Sequence, residues 1–282
     1  ITCRDWSSDV CSSDLAIASR TLRLDYNWIM DLPPAPSRKP LGIKSYGSIA
    51  HLPGSRIGIG DHKCHEGQER IATEKTRDRH DLVIVQEKLD GSNVGVARLN
   101  GEILALTRSG YLASTSPYEQ HHHFDEWVTQ NENRFLAVLR EGERLCGEWL
   151  MQAHGTRYEL KHEPFAAFDL MTGATRTVFD EFIARLAPGE FVTPRLLHRG
   201  APLSIEQALA LLGTYGFHGA LDPVGGAVWR VERNELIRPG GSERRWRVDF
   251  LVKYVRPDKV DGCYLPEISG QPPVYHWLPP QP

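Results

Sequence analysis

The spacing of apolar and polar residues changes period several times along this chain. "LVIVQ" (82–86) and "VGVARL" (94–99) are short apolar runs, and Asn100-Gly101 joins the second to "EILALT" (102–107). Such runs are strand signals, and Asn-Gly between two of them is the strongest short-range sign of a tight hairpin. Further strands are expected at "ERLCGEWL", "FAAFDLM", "GAVWRVER" and "RVDFLVKYV". Elsewhere the period lengthens. "FDEWVTQNENRFLAVL" spaces Phe124, Trp127, Val128, Leu136 and Leu139 along one helical face, and "VFDEFIARL" does the same in a shorter span. "SIEQALALLGTYG" opens on Ser204 with Gln207 three residues on, a capping box, and closes on a glycine. Hairpins with helices inserted between them predict an α+β domain of antiparallel sheets.

The ends are of different composition. "ITCRDWSSDVCSSDLAIASR" carries the near-repeat SSDV/SSDL and lacks the basic and apolar regions of a signal peptide. It resembles translated sequencing adapter, so residues 1–40, including the Pro-rich linker "LPPAPSRKP", are expected to be a non-native or disordered leader. The folded domain is expected over 41–262, and residues 263–282 are expected to be a Pro-rich extended tail. No second linker and no long-period repeat divides the middle. The 282 residues contain no apolar run near the roughly 20 needed to span a membrane. Five irregularly spaced cysteines suit neither a disulfide framework nor a zinc site and point to a reducing cytoplasm. A net charge of -3 advertises no nucleic-acid partner, so any such surface is local.

Candidate chemistry starts at Lys88-Leu89-Asp90-Gly91. A lysine nucleophile must lose its proton, and partial burial at a strand exit beside another cation favours that. Asp90 can accept hydrogen bonds, and Gly91 lets the backbone turn close to a ligand. Taken alone, the tetrapeptide is better read as a polar hairpin corner. "HHH" (121–123) and His62, Cys64 and His65 lack a second ligand pair at zinc spacing and read as solvated loop. "GSRIGIGD" lacks the ending of a phosphate-binding loop and is given no nucleotide role.

The motif with Glu87 before it and Asn93 after it resembles motif I of the covalent nucleotidyltransferases: RNA and DNA ligases and capping enzymes. Arg108 in "LTRSG", Gly147-Glu148 in "CGEWL", Phe168-Asp169 in "FAAFDLM" and Lys253 in "FLVKYVR" follow in family order. The resemblance is nearest to the RNA ligase 2-like branch in bacteria. It implies a nucleotidyltransferase (ATP-grasp-like) ligase domain with no C-terminal OB-fold. In that family Lys88 would form lysyl-AMP from ATP, Glu87 would hold the adenine amino group, and Phe168 would stack on the purine. Glu148 would bind the ribose, and Arg108 the sugar or phosphate. Gly91 and Asp169 would complete the nucleotide pocket. Lys253 would neutralise charge on the α-phosphate, and Asp90 and Asn93 would serve catalysis and joining.

Mg²⁺ or Mn²⁺ is implied by the displacement of pyrophosphate. Where the family has Glu-Gly-x-Val, this chain has Gly225 in "LDPVGGAV". A sequence error, a substitute carboxylate at Asp222 or Glu232, or a degenerate nucleotide-binding ligase would each account for it. Arg244, Arg245, Arg247 and Arg256, around Trp246 and Tyr254, are expected to line a phosphate-binding groove. The implied substrate is RNA ends or a nicked duplex carrying 5′-phosphate and 3′-hydroxyl, with a partner protein for end processing or recognition. A non-catalytic nucleic-acid-end binder and a capping-type guanylyltransferase remain as alternatives.

Overall fold

The computed structural model describes residues 39–58, 60–238 and 241–278. The expected leader and most of the linker lie outside them. The architecture is α+β, with two five-stranded sheets rich in antiparallel pairs.

The first sheet to be completed along the chain is a near-continuous meander. β3 (Ser92–Leu99) and β4 (Glu102–Thr107) form the expected hairpin, with Asn100 and Gly101 at φ 54° and 82°. β5 (Glu143–Trp149) pairs with β3, then β6 (Phe165–Thr172) with β5, and β7 (Thr175–Arg176) with β6, giving the order β4-β3-β5-β6-β7. Alternation sends Val94, Val96, Leu145 and Trp149 to one face. There they meet Phe124, Trp127 and Val128 of α2 (Glu119–Gln130), Phe135 and Val138 of α3 (Glu132–Val138), and Phe179 and Phe182 of α4 (Phe179–Leu186) in the main core. The expected single helix over 124–139 is thus two. Asn131 breaks it, its side-chain amide donating to Trp127 O at 2.8 Å in competition with the helical ladder. α2 also begins earlier than expected, so His121–His123 are helical rather than loop.

The second sheet has the order β1-β10-β9-β2-β8. Its strands are β1 (Ala50–His51), β2 (Asp81–Lys88), β8 (Leu196–Gly200), β9 (Gly226–Leu236) and β10 (Arg244–Val255). β1 pairs with β10 in parallel and the other pairs are antiparallel. Val83, Val85, Ala227, Trp229, Val231 and Val252 share a face. They are buried there with Ala72 of α1 (Glu66–Thr73) and Ala208 of α5 (Ile205–Leu212). The Ser204/Gln207 capping box is formed, and Gly213 ends α5.

The two sheets are joined by charge. Arg230 of β9, 2% exposed, donates to Asp169 Oδ1 of β6 at 2.5 Å, and Arg176 and Tyr46 donate to Oδ2 at 2.9 and 2.8 Å. Residues 263–278 are not a free tail. A short α6 (Pro266–Ser269) leads into a strand-like strap in which Ala153 donates to Val274 O at 2.8 Å and His276 to Met151 O at 2.7 Å. Trp277 packs edge-on to Trp149, so aromatic burial anchors this Pro-rich segment.

Candidate active site

Lys88 is the last residue of β2, opposite Gly226 in the β2–β9 ladder, and its ammonium donates to Leu89 O at 3.2 Å. The chain turns through Leu89, Asp90 and Gly91 into β3. Three groups fix that turn. Gly91 N–H donates to Glu148 Oε1 at 3.0 Å, and Asp90 N–H to the Tyr158 hydroxyl at 3.2 Å. Asp90 Oδ2 accepts from Thr156 Oγ1 at 2.9 Å and lies 3.6 Å from Lys259 Nζ. Burial works to raise the Asp90 carboxyl, but Lys88, Lys259 and His154 together hold it below its ordinary value.

On the meander sheet, the face turned away from the main core carries Asn93 and Glu148, which lie directly across from each other in the β3–β5 ladder. Burial pushes the Glu148 carboxyl up to about 7, against the opposing pull of Lys88 and of the Gly91 N–H. Asn93 Oδ1 is buried without a hydrogen-bond partner. Phe168 reaches the same face by an irregularity. Cys146 pairs with Asp169 and Gly147 with Ala167, so Phe168 is the extra residue of a β-bulge. Its half-buried ring meets the Tyr46 ring edge-on, with centroids 5.0 Å apart.

Lys253 enters from the other sheet, on β10 beside β9. Burial and the charges of Lys88 and Arg108 push its ammonium below the ordinary value, while Asp61, 3.5 Å away, opposes them. Arg108 stands exposed after β4 and donates to Ser48 Oγ at 3.2 Å. Glu148 and Lys253, far apart in sequence, therefore each lie within electrostatic reach of both Lys88 and Arg108. Cations clustered at a strand exit suit a polyphosphate.

The family model for RNA ligase matches residues 81–255. The chain belongs to the RNA ligase family. Among solved structures it is similar to an archaeal ATP-dependent RNA ligase, at 23% identity and TM-score 0.39, covering 62% of this chain and 43% of that one. A Naegleria gruberi RNA ligase solved with PPi gives 17% identity, TM-score 0.48 and coverages of 85% and 64%. A variant of that ligase solved with ATP and Mn gives 16%, 0.48, 78% and 61%. The chain thus spans less than two thirds of the length of these ligases. No curated protein matches it.

Within this family frame several of the expected residues are already engaged by the protein itself. Glu87 leaves β2 on the side opposite Lys88 and is 0% exposed, its carboxylate accepting from Phe217 N–H at 3.1 and 3.3 Å. Gly216, at φ 57°, allows this, because a Cβ there would collide with the Glu87 carboxylate. Burial pushes Glu87 up to about 7. Asp169 is consumed by the inter-sheet ion cluster and presents no free oxygen to a nucleotide.

Asp222 is bound by Arg157 through its side chain at 2.8 and 3.0 Å and its backbone at 2.9 Å, and Arg157 holds the carboxyl near 2. Glu232 accepts from Phe179 N–H at 2.7 Å. Both carboxylates are thus already engaged. Among the described residues no three His, Cys, Asp or Glu side chains are grouped to hold a metal ion.

Of the arginines expected to line a phosphate-binding groove, Arg247 is neutralised by acidic neighbours and the others are spread along and beyond β10. Arg244 and Arg245 lie nine and eight positions from Lys253 along β10, roughly 26 to 30 Å at about 3.3 Å per residue. Arg247 pairs with Glu235 and Asp249 at 2.6 and 2.8 Å, within a network that includes Arg77, Asp81, Arg233 and Asp78. Arg256 caps α5 by donating to Gly213 O at 2.7 Å. Lys259 is turned inward on Asp90, Gly155 O and Pro223 O. The sequence reading missed Tyr46, Thr156, Tyr158, His51 and Asp61. None of them carried a signal of its own; Asp61 ends the "GSRIGIGD" stretch and His51 stands three residues before it.

Proposed function

We propose that the chain is an ATP-dependent RNA ligase that works through a lysyl-AMP intermediate. The approach of Glu148 and Lys253 to Lys88, with Arg108 in reach of both, carries this reading. Lys88, once deprotonated, attacks the α-phosphorus of ATP: an N–P bond forms, the bond to the bridging oxygen breaks, and pyrophosphate leaves. Lys253 and Arg108 offset the negative charge that grows on the phosphoryl oxygens. Glu148, holding Gly91 and facing the same space, suits ribose hydroxyls, and the bulged Phe168 suits the base. AMP then passes to a 5′-phosphate end, and the 3′-hydroxyl, with Asn93 nearby, displaces it. Mg²⁺ carried on the nucleotide's own phosphates, keeping most of its water, fits a site without a protein cage. The Naegleria ligase variant solved with ATP and Mn supports that pairing of nucleotide and metal.

Intact-protein mass after incubation with ATP and Mg²⁺ tests the reading, with Lys88→Ala as the blank. An AMP adduct on the parent that is absent in the blank is the expected result. Gly225 favours a second reading, a nucleotide-binding relative with weakened transfer; an adduct on Gly225→Glu but not on the parent would select it. No adduct on either would remove the ligase reading.

A further inference from the structure

The stretch after β1, given no role from its sequence, approaches the site from the outer edge of the second sheet. His51 lies beside Lys253 in the parallel β1–β10 pairing. His51 is 1% exposed. Its Nε2 is 3.0 Å from Asp61 Oδ2, and the other Asp61 oxygen is 3.5 Å from Lys253 Nζ. On its far side, His51 Nδ1 and Ser55 Oγ are 2.7 Å apart, and Ser55 Oγ accepts from Val255 N–H at 2.9 Å. A chain of contacts thus leaves β10 at Val255, runs through Ser55, His51 and Asp61, and returns to β10 at Lys253.

We infer that Asp61, held in place by His51 and Ser55, is a positioning residue that keeps Lys253 charged and aimed toward Lys88. The inference rests on the ligase reading for its consequence in catalysis, and on these contacts alone for its structural content. The physical need is plain. Lys253 faces Lys88 from β2 and Arg108 from the loop after β4, two cations that favour its neutral form, and Asp61 is the anion that opposes them. His51 in turn holds the Asp61 carboxyl well below the usual carboxylate range, so Asp61 stays charged wherever Lys253 must be. A merely structural clip between β1 and β10 would tolerate any hydrogen-bonding group at position 61. A positioning carboxylate would not.

The test uses the full chain labelled with ¹⁵N-lysine. The Lys253 ammonium is assigned by its loss in Lys253→Arg and titrated in the parent, Asp61→Asn, Asp61→Glu and His51→Gln. In Asp61→Asn, Lys253 should deprotonate about one pH unit earlier, the size expected on losing an adjacent opposite charge. Asp61→Glu should restore most of it, and His51→Gln should move it in the same direction by less. In parallel, the rate of AMP transfer should fall about tenfold in Asp61→Asn with KM for ATP changed less than about threefold, and its alkaline limb should move to lower pH. A Lys253 titration unmoved by Asp61→Asn overturns the inference, as does a rate loss that Asp61→Glu fails to recover. If Asp61→Asn does not fold, the His51→Gln titration decides. If neither parent nor Gly225→Glu forms an adduct, the ligase reading fails while the titration still decides the role of Asp61.

Discussion

Glu148 on β5 accepts the backbone N–H of Gly91 at 3.0 Å, so the carboxylate that faces the pocket also ties down the turn that carries Lys88. The same carboxyl is pushed up to about 7 by burial. One residue therefore couples the shape of the lysine turn to pH.

The sign of that coupling follows from linkage. Glu148 ionises near its ordinary value when unfolded and at about 7 when folded, so its favourable contribution is complete below the unfolded value. It is lost as pH rises through 7. Glu148→Gln, which keeps an acceptor for Gly91, should melt above the parent at pH 8.5 by the equivalent of about 2 kcal/mol and match it at pH 4.5. Glu87→Gln, at the other carboxyl raised to about 7, should behave likewise. Thermal melts at the two pH values check this; a gap independent of pH would remove the explanation.

Two adjacent glycines should respond in opposite ways. A Cβ at Gly225 meets nothing within 4 Å, so Gly225→Glu should leave stability within about 0.5 kcal/mol and speed AMP transfer. Gly226 sits at φ 155° with its would-be Cβ against Tyr254 O, and Gly226→Ala should cost roughly 3 kcal/mol or more. Denaturant unfolding of both variants, beside the adduct assay, gives the comparison. Equal destabilisation would mean the start of β9 is placed differently.

The inter-sheet ion pair should be costly to halve. Arg230→Met leaves Asp169 buried with a partner lost, and a loss of about 3 to 5 kcal/mol is expected. Arg230→Met with Asp169→Leu should recover part of it. If the double variant is no more stable than the single one, Asp169 does not depend on Arg230 for its burial.

Salt dependence locates the nucleic-acid surface. Because Arg247 is paired and Arg244 and Arg245 lie at the far end of β10, Arg244→Glu with Arg245→Glu should leave the salt slope of RNA-end binding unchanged, whereas Arg108→Ala should lower it by about one. Binding of a 5′-phosphorylated RNA across a salt series measures both. A reduced slope in the double variant would restore the distal groove.

What could be read from the chain alone was what depends on local pattern or motif order. The Asn100-Gly101 hairpin, the Ser204 cap and the strand bearing Lys88 are set within a few residues. The two-helix break at Asn131 was not legible, because the apolar spacing runs straight through it and the competing side-chain bond is not a periodic signal. In the site, Lys88, Arg108, Glu148 and Lys253 were named in advance and converge. Asp169, Asp222 and Arg247 were named for the right charge and proved to be matched by neighbours distant in sequence, which residue type cannot disclose. His51 and Asp61 escaped for the converse reason: each is ordinary by itself, and only the parallel β1–β10 pairing brings them to Lys253.

The strand orders carry one more consequence, for the sequence of events by which such a chain folds. β3 to β7 are drawn from residues 92–176 in near-consecutive order, so that sheet can close on local contacts soon after it is synthesised. The other sheet interposes β9 and β10 between β1 and β2, so β2 gains its strand partners only with β8 and β9, and β1 has none until β10, ending at residue 255, has emerged from the ribosome. Lys88 waits on a scaffold that is half built, and its meeting with Lys253 is among the last long-range contacts to form. Competence for chemistry is then a late property of the folding chain, acquired only when the slower of the two sheets is finished.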